Sequence, residues 1–290
     1  MQILLTGGTG YIGSAVLDAL AAKGHDVTVA VRSEDAATKV GLKGAKAVVG
    51  DITDPAWFAE RLREADGAVH TAAGGGAAMD AAVLDAVIDA FAGTGKPYVH
   101  TGGVWSWGSS ADISESDPHS PPALTAWRDE QEARILASDV QASVLAPAIV
   151  YGYGGGIPAG VIAGAPRNEH GALRLVGDGS QHWATVHVDD LADLYVRVLE
   201  QAPGGGTYIG ANGENPTVRE LAEAAAGEGG SVVAESAEET RARLGEGFAD
   251  ALLLDQQAIG RLARETFGWE PTRPSILVEL RGSAEDDGAA

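Results

Sequence analysis

The sequence predicts an α/β fold, a doubly wound parallel sheet with a second, smaller mixed α/β lobe, and three observations carry that expectation. A glycine-rich stretch sits between an apolar run and an apolar helix near residue 10. Short apolar strands then alternate with helical segments as far as Tyr151, the pattern of a parallel sheet covered on both faces. Beyond Tyr151 the rhythm changes: glycines cluster at 152, 154, 155 and 156, and a proline- and glycine-broken stretch runs to about Gly179.

The elements follow in order. Ile3-Leu4-Leu5 is the first strand, and the helix Ser14 to Ala22 follows the glycine stretch. Gly24 stands where a helix-ending glycine is wanted, and Val27 to Val31 reads as a second buried strand. Ala47-Val48-Val49 is a third; Asp54-Pro55 then supplies an N-cap and a first-turn proline for a helix reaching Arg63. Ala68-Val69-His70 is a fourth strand, followed by an alanine-rich helix from about Met79 to Phe91. Tyr98-Val99-His100 makes a fifth, a helix covers Ala123 to Leu136, and Ser143-Val144-Leu145 makes a sixth. Thr185 to Val188 is a further strand, and Asp189-Asp190 reads as the cap of the helix Leu191 to Glu200. Residues 216–226 and 255–267 read as helices of the second lobe. The sheet domain is therefore expected over 1–151 plus about 184–202, and the smaller lobe over about 152–183 and 203–281. The tail 282–290, rich in Gly, Ala and acid, is expected to be disordered.

Composition narrows the class. A chain of 290 residues can bury a full core, and the absence of cysteine removes disulfides, thiol catalysis and thiolate metal sites together. With 41 acidic against 20 basic side chains the net charge is -21, which repels nucleic acid and anionic lipid. No apolar run is long enough to cross a membrane, and the first apolar residues run into the glycine stretch without room for a signal peptide. The expectation is a cytoplasmic protein that handles a small molecule, with no nucleic-acid or membrane partner; a homodimer is open.

The stretch Thr6-Gly7-Gly8-Thr9-Gly10-Tyr11-Ile12-Gly13 names the ligand class. Glycines at 7, 10 and 13 allow a tight turn, close approach of backbone to a pyrophosphate, and near contact of helix with strand. The N–H groups of Thr9 to Gly13 and the positive end of the helix dipole would face the phosphates. This is a Rossmann-like dinucleotide turn. NAD binding favours an acid at the end of the second strand, where Val31 stands and Arg32 follows. A guanidinium suits a 2′-phosphate, so NADP is preferred; NAD stays as the alternative because Glu34 or Asp35 could reach a ribose.

Several segments together resemble the extended or atypical short-chain dehydrogenase/reductase family, the group that contains nucleotide-sugar epimerases and dehydratases. They are the Gly7 to Gly13 turn, Gly50-Asp51-Ile52, Val69-His70-Thr71-Ala72-Ala73, Pro147-Ala148-Ile149-Val150-Tyr151-Gly152, His187-Val188-Asp189-Asp190 and Gly268-Trp269-Glu270-Pro271. The resemblance implies that the Asp51 carboxylate and the Ile52 backbone hold the adenine, and that the turn Thr71, Ala72, Ala73 passes beneath the cofactor. It also implies that Pro147 and Val150 meet the nicotinamide.

The reaction machinery departs from the family. Members carry a Ser or Thr after the fifth strand and a Tyr-x-x-x-Lys on the next helix; the tyrosine transfers a proton that the lysine helps it release. Alignment puts Gly103, Leu124 and Arg128 at these three positions, and no Tyr-x-x-x-Lys occurs anywhere in the chain. Leucine cannot transfer a proton, and arginine holds its own too tightly. Thr101, Arg128 and Tyr151 are the remaining catalytic candidates, with Ser106 a further hydroxyl and His70 or His100 titratable rings whose simpler reading is a hydrogen-bonded strand end. Trp105, Trp107 and Trp127, with Tyr151 and Tyr153 opposite, suit either a flat apolar substrate pocket or packing between lobes. Arg167 and Arg174 are the lobe's candidates for a substrate diphosphate, and His182 with His187 lack a third ligand, so no metal is expected. The expected function is an NADP-dependent oxidoreductase without the usual triad, reducing a small apolar or aromatic imine, enone or carbonyl compound. A non-catalytic NADP-binding redox sensor, a non-redox cyclase or isomerase, and a nucleotide-sugar epimerase remain open.

Overall fold

The computed structural model describes residues 1–288. Its first half alternates strand and helix: β1 (Gln2–Thr6), α1 (Tyr11–Ala22), β2 (Asp26–Val31), α2 (Glu34–Leu42), β3 (Lys46–Val49), α3 (Pro55–Glu64), β4 (Gly67–His70), α4 (Gly76–Phe91) and β5 (Pro97–Thr101). A short strand β6 (Ser110–Ile113), α5 (Arg128–Leu136) and β7 (Gln141–Pro147) follow. The chain then runs through β8 (Ile149–Gly152), the single turn α6 (Gly156–Pro158), β9 (Leu173–Arg174), β10 (Thr185–His187), α7 (Val188–Gln201) and β11 (Gly206–Gly210). It ends with α8 (Val218–Ala226), β12 (Val232–Val233), α9 (Ala237–Leu244), α10 (Glu246–Leu252), β13 (Gln256–Ala258), α11 (Arg261–Phe267) and α12 (Ile276–Gly288).

Seven strands form one sheet in the order β11-β7-β5-β4-β1-β2-β3, with every pairing parallel. The two-residue alternation of strand side chains decides which layer each residue joins. Ile3, Leu5, Val29, Val31, Val69, Val99 and Leu145 pack on the face that α1 and α7 cover. Leu4, Ala30, Ala68, Tyr98 and Val144 pack on the other, with Phe58 and Leu62 of α3, Val83 and Val87 of α4 and Ile135 of α5. Full burial of one such side chain stabilises the fold by about 1.5–3 kcal/mol. A third cluster, including Tyr151, Ile162, Leu175, Trp183, Leu221 and Leu252, is the core of the smaller lobe. The winding direction reverses between β1 and β4, which opens a crevice at their C-terminal ends. No helix among the described residues is long and apolar enough to cross a membrane.

Several local expectations are corrected. Residues 206–210, assigned to the smaller lobe, pair with β7 and close one edge of the main sheet. The strand at 185–187 instead pairs with β8 in a separate two-stranded sheet. Residues 123–127 form turns, and the helix begins only at Arg128. The cap of α7 is His187, whose side chain accepts the Asp189 N–H; Asp189 and Asp190 lie inside the first turn. Asp190 is free to accept the N–H groups of Thr272 and Arg273 instead, which fastens the C-terminal segment. Residues 255–267 divide into β13 and α11. The tail expected to be disordered is helical to Gly288, and its last two positions lie outside the described residues.

Candidate active site

The glycine turn is built by contacts that no side chain could share. Gly7 has φ +73, and a Cβ there would lie 2.6 Å from the backbone of Thr71 and Ala72. At Gly13 a Cβ would stand 2.1 Å from the Gly7 carbonyl oxygen and 2.5 Å from Thr71 Oγ1. Thr71 Oγ1 donates to the Thr6 carbonyl at 2.8 Å, which ties the turns after β1 and β4 together. The cap position of α1 is Gly10, with no capping side chain and no acid in the first turn. The first N–H groups of that helix are thus open to an anion.

A cleft of about 1150 Å³ runs along the C-terminal edge of the sheet over this turn. Gly7, Thr9, Gly10, Tyr11, Ile12, Gly13, Arg32, Asp51, Ile52, Thr71, Ala72 and Ala73 line it together. Pro147 and Val150 do not; they lie in β7 and β8, largely buried. Hydrogen bonds from the Thr53 hydroxyl and N–H, with Arg32 nearby, hold the Asp51 carboxyl below the usual carboxylate range. Ser33 caps α2, so Glu34 and Asp35 fall in its first turn, where they complement the helix dipole.

Beyond the cleft, the turn after β5 is held by a proton-ordered chain. Thr101 Oγ1 donates to the His70 carbonyl at 2.6 Å, so the 2.7 Å contact with Tyr195 requires the tyrosine to donate. Thr101 therefore has no proton left to give. Burial raises the Tyr195 hydroxyl well above its ordinary range. Arg128 Nη1 donates to the Thr101 carbonyl at 3.0 Å, and its guanidinium lies 4.7 Å from the Trp127 ring centroid.

Behind that turn is a buried charged cluster. The rings of His70 and His100 stack at 5.4 Å, nearly parallel. Their Nδ1 atoms meet Thr6 Oγ1 at 2.8 Å and the Tyr98 hydroxyl at 3.0 Å. Both Nε2 atoms face the carboxylate of Asp80, 3.7 and 3.6 Å away, too far for hydrogen bonds but close enough for charge attraction. Arg128 approaches the same carboxylate at 4.0 Å. Burial alone would raise the Asp80 carboxyl; the contacts from His100 and His70 outweigh it and hold it below the usual carboxylate range. Burial lowers the proton affinity of His100 against the pull of Asp80. One turn along α5 from Arg128, Glu132 is 4% exposed and its Oε1 has no hydrogen-bond partner. Burial pushes its carboxyl up to about 7, with Arg128 opposing and Asp129 and Asp80 adding.

Thr101 and Arg128 are thus brought together, and Tyr151 is not. Its hydroxyl donates to the Pro274 carbonyl at 2.8 Å and accepts from Asn212 Nδ2 at 3.2 Å, inside the smaller lobe's packing. The tryptophans divide as well: Trp107 is buried with its ring 4.7 Å from His119, and Trp105 packs edge-on against Phe248. Arg174 pairs with the buried Glu235 at 3.2 Å, and Arg167 donates to the Gly171 carbonyl. His182 pairs with Asp255 and His187 with Glu279. Among the described residues no group of three His, Asp or Glu could hold a metal ion. Sequence reasoning missed Asp80, Glu132 and Tyr195. Only Glu132 left a local signal, an acid four residues after Arg128 on the helix face that also carries the buried Ile135.

Residues 7–202 match a family model described as NAD(P)H-binding. The UDP-glucose 4-epimerase of Mycolicibacterium smegmatis is 30% identical over 93% of this chain and 94% of its own length. The chain belongs to the extended or atypical short-chain dehydrogenase/reductase family. The 2-alkyl-3-oxoalkanoate reductase of Stenotrophomonas maltophilia is 28% identical over 76% of this chain and 73% of its own length. The crystal structure of human epimerase family protein SDR39U1 (isoform 2) with NADPH shares the fold, at a TM-score of 0.71 and 20% identity over 99% of this chain and all of that one. As a family member the chain carries an NAD(P)H-binding domain, and the glycine turn and its cleft lie within the matched residues.

Proposed function

We propose that this protein is an NADP-dependent oxidoreductase that reduces a small apolar or aromatic imine, enone or carbonyl compound without the family's tyrosine and lysine. The observation that carries the reading is a dinucleotide-sized cleft across the C-terminal ends of β3, β2, β1 and β4, with the Thr101–Gly103 turn at the end of β5, the next strand, and Arg128 bonded to the Thr101 carbonyl. The turn Gly7 to Gly13 would hold the pyrophosphate, Asp51 and Ile52 the adenine, and Arg32 the 2′-phosphate. The dinucleotide supplies a hydride donor; the protein binds and orients it.

Leu124, aligned with the family's tyrosine, is 42% exposed and lies before α5 begins, and a Cβ at Gly103 would meet nothing within 4 Å. The turn therefore has room where the family has a serine. A substrate whose carbon is already electrophilic needs less help there. The activity named for the Stenotrophomonas relative supports carbonyl reduction. A nucleotide-sugar substrate is less favoured, since both candidate arginines for its diphosphate, Arg167 and Arg174, already have partners. Mixing the protein with NADPH and a panel of cyclic imines, enones and 3-oxo acids tests the reading. Oxidation of NADPH with at least one class is expected; none above background across the panel counts against it.

A further inference from the structure

The cleft crosses the turns after β3, β2, β1 and β4 at Asp51, Arg32, Gly10 and Thr71. In the strand order β5 comes next, so the far end of a dinucleotide lying there is directed to the Thr101–Gly103 turn. The positions of that turn face different surroundings. Thr101 spends its proton on the His70 carbonyl. Gly103 borders open space. A Cβ on Gly102 would stand 2.7 Å from Oε1 of Glu132, so the carboxyl lies against the turn with no side chain between them. A buried oxygen without a hydrogen-bond partner is destabilising, and leucine would fill the place without that penalty.

We propose that Glu132 is the proton donor of this site, standing in for the tyrosine that the family places on the same segment. The proposal rests on the reductase reading above. A bound dinucleotide would supply hydride for the electrophilic carbon of a C=O, C=N or conjugated C=C bond, whose electron pair would move to its far end. The atom there takes the proton of the Glu132 carboxyl. The carboxyl O–H bond breaks, the product O–H, N–H or C–H bond forms, and Glu132 is left as a carboxylate that regains a proton from water. Arg128, one helical turn away, favours that carboxylate. Asp129 on the same helix and Asp80 on α4 oppose it, with His100 of β5 and His70 of β4 set behind Asp80. Because burial pushes the carboxyl up to about 7, it can both give and recover a proton near neutrality.

The oxidised nicotinamide ring carries a positive charge that the reduced ring lacks, so its binding favours ionised Glu132. Calorimetry at pH 7 in two buffers of different ionisation heat reads this directly, without turnover. Wild-type protein is expected to release more protons with NADP+ than with NADPH, by about half a proton. In Glu132→Gln the difference vanishes while both affinities stay within about threefold. With a reducible substrate, Glu132→Gln is expected to lower kcat about 100-fold or more with little change in KM. The wild-type fall in kcat above pH about 7 is expected to disappear in the variant. Equal proton release and equal kcat in the two proteins would overturn the role of Glu132 and leave the reductase reading standing. Failure of wild-type protein to bind either dinucleotide would overturn both.

Discussion

Replacing Glu132 with glutamine changes stability in a way whose sign and size follow from the structure. The carboxyl of Glu132 is pushed from an ordinary value of 4.5 up to about 7 by burial. Below pH about 4.5 it is protonated both folded and unfolded, and it imposes no charge penalty. Between there and pH about 7 the unfolded chain loses the proton while the folded chain keeps it, so stability falls as pH rises. Above pH 7 the loss is complete. At about 1.4 kcal/mol for each tenfold change in proton affinity, it comes to about 3 kcal/mol. Glutamine keeps the shape and does not titrate. Glu132→Gln is therefore expected to match wild type near pH 4.5 and to exceed it by about 3 kcal/mol at pH 8, roughly 6–12 °C in Tm. Urea and thermal unfolding of both ligand-free proteins at four pH values measures the difference. Parallel curves for the two proteins would refute a buried, proton-bearing Glu132.

Other changes test the rest of the site. Gly13→Ala places a methyl 2.1 Å from the Gly7 carbonyl, and is expected to weaken dinucleotide binding about 100-fold at a stability cost of about 1–3 kcal/mol, read by calorimetry and melting. Asp80→Asn removes the anion between His70, His100 and Arg128; a loss of about 3–5 kcal/mol in urea unfolding is expected, and an unchanged midpoint would mean that the cluster is not held by charge. Tyr151→Phe is expected to cost about 1–2 kcal/mol through its lost bonds to Pro274 and Asn212 and to leave NADPH affinity unchanged. Weaker NADPH binding in that variant would return Tyr151 to the site.

Much of the fold is legible because its signals are local. Strand Ile3–Leu5, the glycine turn and the following helix occupy consecutive residues, and Asp54-Pro55 caps its helix as the pair predicts. Where two local readings compete, neighbours distant in sequence decide. His187 takes the capping role expected of Asp189-Asp190, and Asp190 instead accepts the N–H groups of Thr272 and Arg273, more than 80 residues away. Residues 206–210 look like any short strand, and only the exposed edge of β7 tells which sheet they join. The dinucleotide cleft was readable for the same reason as the turn: its lining residues sit at the ends of successive strands. The buried acids were not. A glutamate on a helix reads as a solvated charge until Gly102, 30 positions earlier, is seen to press against it. Thr101 reads as free to donate because the acceptor of its proton, the His70 carbonyl, lies 31 residues away.

Binding of NADPH and NADH to the ligand-free protein bears most directly on the site. Titration calorimetry is expected to show NADPH binding at least about tenfold more tightly than NADH, since each charge-assisted bond from Arg32 to the 2′-phosphate contributes about 1.5–3 kcal/mol. Arg32→Ser is expected to bring the two affinities together. No heat with either dinucleotide, or an Arg32→Ser protein that still prefers NADPH by the same factor, would contradict the assignment.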